Sequence, residues 1–284
     1  MSIAAEGRGR WTEGKRPVRN AKRGEVWHLI RTLWVLTTCY IAASSAAVPG
    51  ADFDQSHAHF DGVLKQFVRN ARVDYAELKA HPQDLNRYLE HLASVAKADF
   101  QQWNEGQQMA FLINTYNAYT LRLILDHYPL KSIKDIGTAF SGPWAQPVVR
   151  LFGESLTLDT VEHKMLRKDY REPRIHFALV CAAKGCPPLR NEVYVTARLD
   201  EQLDDQARKF LANPEKNRVE TSEHVVYLSP IFKWYTADFE KKSGSVLAAL
   251  KPYWPGNPPA DLASGGFRIR YTDYNWSLND IDKK

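Results

Sequence analysis

The stretch NEGQQMAFLINTYNAYTLRLILDH (Asn104–His127) decides the fold. Its apolar residues, among them Met109, Phe111, Leu112, Ile113, Leu121, Leu123, Ile124 and Leu125, fall on nearly every side of a helix. Such a helix is buried over most of its surface. Asn114, Tyr116, Asn117 and Tyr119 interrupt it with polar groups, and a buried amide destabilises unless it is hydrogen-bonded. Asn114, Tyr116 and Asn117 are therefore candidates for binding substrate or for stabilising an oxyanion. The alternative is that they tie the central helix to neighbouring loops.

Outward from this helix the periodicity changes several times. His57 to Asn70 and Pro82 to Val95 carry apolar residues at spacings of three and four and read as helices. Val148 to Phe152 and Ser155 to Leu158 flank Gly153-Glu154 as a short hairpin. Asp159 then reads as a helix cap, with Glu162 completing a capping box and the helix running to about Lys168. Ile175 to Val180 is short, apolar and β-prone, and reads as a buried strand. Ala197 to Leu211 is an amphipathic helix, Arg218 to Thr221 with Val225 to Leu228 a second hairpin, Pro230 to Phe239 and Ser245 to Leu250 short helices, and Phe267 to Tyr271 a last strand. Without a regular βαβ repeat, the class is α+β: one helix-rich domain, residues 48–284, with a small, mostly antiparallel sheet.

With 44% hydrophobic and 12% aromatic residues in 284, the chain can build a substantial core. Its net charge of +5 is unevenly placed. Residues 1–47 hold eight Lys and Arg against three Glu, which leaves thirty residues of each sign in the rest. A neutral domain has no field to attract a polyanion, so nucleic acid is not an expected partner. Residues 1–47 order themselves as a secretory leader: basic up to Arg31, apolar from Leu33 to Ala43, then small residues through Ser45-Ala46-Ala47, a cleavage site. The apolar run is short of the roughly 20 residues a membrane span needs, so no stable span is expected after cleavage. Lipidation at Cys39 is disfavoured by the Thr before it and the short apolar run. The expectation is export, to a periplasmic or extracellular location.

The densest reactive cluster is His176-Phe-Ala-Leu-Val-Cys181-Ala-Ala-Lys184-Gly-Cys186-Pro187-Pro188, with Glu162-His163 before it. Three readings compete. Export places Cys181 and Cys186 in an oxidising compartment, where they can form a structural disulfide. Alternatively one of them is a nucleophile whose proton is taken by His163 or His176. On a helix Glu162 and His163 point about 100° apart, so Glu162 is the better orienter of His176. Zinc bound by Cys181, Cys186, His163 and His176 is the third reading, weakened by the four-residue spacer and the lack of a matching second pair. No cofactor or resident metal is expected.

Five segments also support a resemblance: Phe111 to Tyr119, Leu158 to Arg167, Pro173 to Pro187, Leu228 to Tyr235 and Tyr271 to Asn279. In their order and wording the chain resembles the family catalogued as domain of unknown function number 547. The resemblance implies an exported or envelope protein of the bacterial branch and a Cys, His and Glu arrangement like that of thiol peptidases. The expected activity is a thiol-dependent hydrolase or acyl transferase on amide or ester bonds of an envelope substrate, a peptide being one such. The site residues are Cys181, Cys186, His176, His163 and Glu162, with Asn114, Tyr116 and Asn117 on the substrate. The rival is a non-catalytic binding or assembly domain with a Cys181–Cys186 disulfide.

Overall fold

A computed structural model describes residues 53–138 and 141–281, and all of these belong to one compact unit. The expected leader, its cleavage site and Cys39 lie outside the described residues. The α+β class holds: among the described residues there are eleven α-helices and three small sheets, in which every strand pair but one is antiparallel.

The central helix α5 (Glu105–His127) starts at a capping box, Asn104 accepting from the Gln107 N–H while the Gln107 side chain accepts from the Asn104 N–H. It is buried from Met109 to Leu121 without a break. Before it come α1 (Ala58–Phe67), α2 (Tyr75–Ala80), α3 (Gln83–Ser94) and α4 (Lys97–Gln102). The first helix ends earlier than its periodicity predicts, because Val68–Arg69 (β1) turns back on Arg72–Val73 (β2) through the left-handed residues Asn70 and Ala71. The expected hairpin forms from β3 (Val149–Leu151) and β4 (Glu154–Leu156), but its two-residue turn is Phe152-Gly153, both at positive φ, one residue earlier than the Gly153-Glu154 turn expected, and Glu154 pairs with Leu151 in the ladder.

Two expectations need correction. Asp159 is not a cap: it has helical dihedrals and its side chain bonds no backbone N–H, while Thr157 Oγ1 accepts from the Thr160 N–H at 3.0 Å. The next segment, Thr160–Leu166, is a π-helix that passes into α6 (Arg167–Asp169). Ile175 to Val180 is not a strand. It begins as the one-turn helix α7 (Ile175–Ala178), and the Val180 N–H goes to the Asn117 side chain rather than to a neighbouring strand. A short apolar run fits a buried helix turn as well as a buried strand, and Pro173 starts the turn by accepting from the His176 N–H.

The remaining elements are α8 (Leu199–Leu211), β5 (Arg218–Glu220), β6 (Val225–Leu228), α9 (Ile231–Trp234), α10 (Thr236–Ser243), α11 (Val246–Leu250) and β7 (Arg268–Tyr271). The expected Pro230 to Phe239 helix breaks into α9 and α10 at Tyr235, and β7 joins β6 in parallel. Two apolar clusters result. The larger surrounds α5; the smaller joins Phe177, Phe210, Phe232 and Phe239 with β6 and α11. Helix α7 sits at their junction, with Ile175 and Ala178 in the first cluster and Phe177 in the second. Nothing among the described residues is a helix long and apolar enough to cross a membrane.

Candidate functional site

Immediately after α7 the chain enters a loop, Cys181 to Cys186, whose shape is imposed by the C-terminal segment. Lys184 and Gly185 donate their N–H groups to the Ser277 and Asn275 carbonyls at 2.8 Å, and Asn279 donates to the Ala182 carbonyl at 2.9 Å. Gly185 lies so close that a Cβ there would meet the Asn275 nitrogen at 2.9 Å. Ala182, just after Cys181, is left-handed with φ 58°. From the other side Asn117 fixes the approach to the loop: its amide donates to the Ala178 carbonyl and accepts from the Val180 N–H, both at 3.0 Å.

This loop forms one wall of a cavity of about 320 Å³. All five residues named from sequence as catalytic candidates line it: Cys181, Cys186, His176, His163 and Glu162. Tyr116 lines it as well. Asn114 and Asn117 do not. Asn114 is clamped to the Tyr194 backbone, donating to its carbonyl at 2.7 Å and accepting from its N–H at 3.0 Å. For both asparagines the geometry is the tethering one.

The two cysteines are free thiols with unlike surroundings. Cys186 is 4% exposed, its sulfur accepts the Cys181 N–H at 2.8 Å, and burial pushes its thiol far up. Cys181 is partly exposed, and its thiol is lowered. The hydrogen bond from Cys186 does most of this, against burial, helped by the Tyr274 hydroxyl at 3.1 Å and the Ala183 N–H. A thiolate is the nucleophilic form, and of the two thiols it is the Cys181 thiolate that these contacts favour.

Of the two histidines lining the cavity, His176 is the buried one, stacked on Tyr235 with ring centres 3.8 Å apart. Its Nε2 lies 2.7 Å from Asp238 Oδ2. Since a carboxylate only accepts, Nε2 carries the proton and Nδ1 the lone pair of the neutral ring. Burial pushes His176 below its ordinary 6.5, although the Asp238 hydrogen bond works in the opposite direction. Burial raises Asp238, but hydrogen bonds from His176 and Arg167 overcome it and hold the carboxyl well below the usual range. Arg167 Nε donates to Asp238 at 2.6 Å and its Nη1 donates to His163 Nδ1 at 2.9 Å. The lone pair of His163 Nδ1 is thereby used, which leaves His176 as the ring with an available base.

Asp238, not Glu162, is thus the carboxylate that orients His176. Glu162, also buried, accepts from the Tyr235 hydroxyl and lies 3.9 Å from His163 Nδ1. No sequence signal marked Asp238, which stands 62 positions from His176 on a separate helix. Tyr274 lies within the segment Tyr271 to Asn279, where no chemical reason singled it out. Among the described residues no group of three or more His, Cys, Asp or Glu is arranged to hold a metal ion, so the zinc geometry is not formed.

No curated protein and no solved structure matches the chain. The family match covers Glu162, His163, His176 and both cysteines, and ends before Asp238 and Tyr274. Residues 100–211 match the model of the family described as Protein of unknown function, DUF547, so this stretch of the chain carries that family's domain.

Proposed function

We propose that the protein is a thiol-dependent hydrolase or acyl transferase acting on amide or ester bonds, with Cys181 as nucleophile, His176 as base and Asp238 as the group that orients the base. The observation that carries this reading is the presence, in the lining of one cavity, of a lowered thiol and of a histidine whose far nitrogen is fixed by a carboxylate at 2.7 Å. The Cys181 thiol proton passes to His176 Nδ1 and the sulfur attacks the substrate carbonyl carbon. Collapse of the tetrahedral adduct breaks the bond to the amine or alcohol, which leaves with the proton from His176. Water or a second acceptor then releases the acyl group from Cys181 by the same route in reverse. The leader composition supports an exported location, and hence an envelope substrate.

A second reading is favoured by one observation, the closeness of the two cysteines, the Cys181 N–H donating to Cys186 Sγ at 2.8 Å. It is a binding or assembly domain in which Cys181 and Cys186 are bridged. Alkylation separates the two: under the first reading iodoacetamide labels Cys181 in the native protein and abolishes an activity that Cys181→Ser also lacks while still folded. A native protein without a titratable thiol, retaining its function when both cysteines are Ser, supports the second.

A further inference from the structure

The same cavity has walls of an unusual kind. Six aromatic rings face it, those of Tyr116, Trp144, Trp234, Tyr235, Tyr274 and Trp276, together with the carboxylates of Glu162 and Asp159. Lysine and arginine are missing from its lining. Four other clefts on the described surface each carry at least two of them, in a domain with equal numbers of basic and acidic residues. Composition alone does not account for that contrast.

Two basic groups that lie against rings of the cavity, Arg167 over Tyr235 and Lys134 over Trp276, already have partners. Arg167 is held by Asp238 and His163. Lys134 Nζ rests 4.5 Å from the ring centre of Trp276, so one of these rings already accepts an ammonium. Glu162 is buried, accepts from the Tyr235 hydroxyl, and has His163 Nδ1 3.9 Å away and the Arg167 guanidinium within electrostatic reach. Trp234 is the most exposed of the six rings, 48% accessible, and packs against Tyr274 and Trp276 with ring centres 4.9 and 5.8 Å away. Aromatic faces attract cations, and the attraction grows where water is excluded. An anionic group would be repelled by the carboxylates of Glu162 and Asp159 in the lining, and an aliphatic one would gain nothing from the attraction of the ring faces for positive charge.

We infer that the cavity is a subsite for an organic cation, a primary ammonium of the lysine side-chain type carried by the substrate, held between the Trp and Tyr faces and the carboxylates of Glu162 and Asp159. This rests on the reading of the cavity as the place where Cys181 meets its substrate, and it narrows that substrate to one with a positive charge close to the reacting amide or ester.

The test uses the full-length Cys181→Ser protein, which binds without thiol chemistry. Nα-acetyl-lysine methylamide, its norleucine counterpart and its glutamate counterpart are titrated in turn, with tryptophan fluorescence and calorimetry as readouts. The lysine probe is expected to bind about tenfold tighter than the norleucine one. Adding Trp234→Ala, which alters a half-exposed ring outside the core, should shrink that ratio towards one, as should Glu162→Gln in a variant whose thermal melt is unchanged. Equal or tighter binding of norleucine, or preference for glutamate, overturns the inference. Because Cys181→Ser cannot react, failure here leaves the alkylation test of the thiol intact, and failure of that test leaves this ranking standing.

Discussion

His176 Nε2 and Asp238 Oδ2 lie 2.7 Å apart, bringing together a one-turn helix and a helix 62 positions later. The contact fixes the tautomer of the ring, so Asp238→Asn, whose amide can donate to Nε2 and reverse the tautomer, should cut any Cys181-dependent turnover by about 10²- to 10⁴-fold. Its pH signature is separate. A carboxyl held below its ordinary 3.8 adds stability that is fully present above that value and is lost as pH falls towards the folded value. Urea midpoints measured from pH 7 down to 3 should therefore fall less steeply below about pH 4 in the Asn variant. A wild-type slope retained in full would exclude this role for Asp238.

His176 gives a second pH limb. Burial keeps the folded ring less basic than the unfolded one, so its contribution to stability is complete above 6.5 and is lost as pH falls below it towards the folded value. The same protonation removes the Nδ1 lone pair. Turnover should hold from neutral pH down to below 6.5 before it declines, and a decline centred above 6.5 would point to another group as the base.

Tyr274→Phe removes the hydroxyl 3.1 Å from the Cys181 sulfur and leaves the ring in the cavity wall. With one donor lost, the thiolate is less favoured. The midpoint of the pH profile for Cys181 alkylation should move up by about one pH unit, as expected for a hydrogen bond to a charged group. Mass spectrometry of the labelled peptide follows it directly. An unmoved midpoint would mean that the hydroxyl does not donate to the sulfur in solution.

How much of this was legible in the sequence depends on what each feature rests on. The central helix was readable because Asn104 to His127 carries both its capping residues and its apolar surface locally. The strand expected at Ile175 failed because a short apolar run has no period of its own; the Asn117 side chain, which takes the Val180 N–H, decides its backbone. The cap expected at Asp159 failed for a nearer reason, Thr157 having taken the role. At the site, the cysteines, both histidines and Glu162 were readable because they cluster in two short segments, Leu158 to Arg167 and Pro173 to Pro187. Asp238 and Tyr274 reach the cavity only through tertiary packing, from α10 and from the C-terminal segment that straps the cysteine loop.

Asn117→Ala tests the tether. The amide serves two backbone groups, the Ala178 carbonyl and the Val180 N–H, both buried. Truncation leaves them without partners, at a cost of about 2–4 kcal/mol measured by chemical denaturation. Loss of less than about 0.5 kcal/mol would mean that water replaces the amide at no cost. Because the same contacts hold the entry to the Cys181 loop, the variant should also react more slowly with iodoacetamide than the wild type under conditions where it remains folded.

The two sulfurs should behave differently although they share a hydrogen bond. Cys186 is buried and pushed up, and Cys181 is partly exposed and lowered chiefly by the thiol of Cys186. Titration without reductant of protein that lacks residues 1–47, and with them Cys39, should thus find one fast and one slow thiol, with the fast one lost in Cys181→Ser and the slow one still slow. Cys186→Ala takes away the donor that favours the Cys181 thiolate and leaves the Cys181 N–H without the sulfur it donates to at 2.8 Å. Alkylation of Cys181 at pH 7 should then slow by about tenfold, since a thiol that loses a donor to its sulfur exposes less thiolate at a fixed pH. A Cys186→Ala protein that reacts as fast as wild type would show that Cys186 does not activate its neighbour. A native protein with no titratable thiol until reductant is added would instead make the pair a bridge, and the nucleophile would have to be sought elsewhere in the cavity.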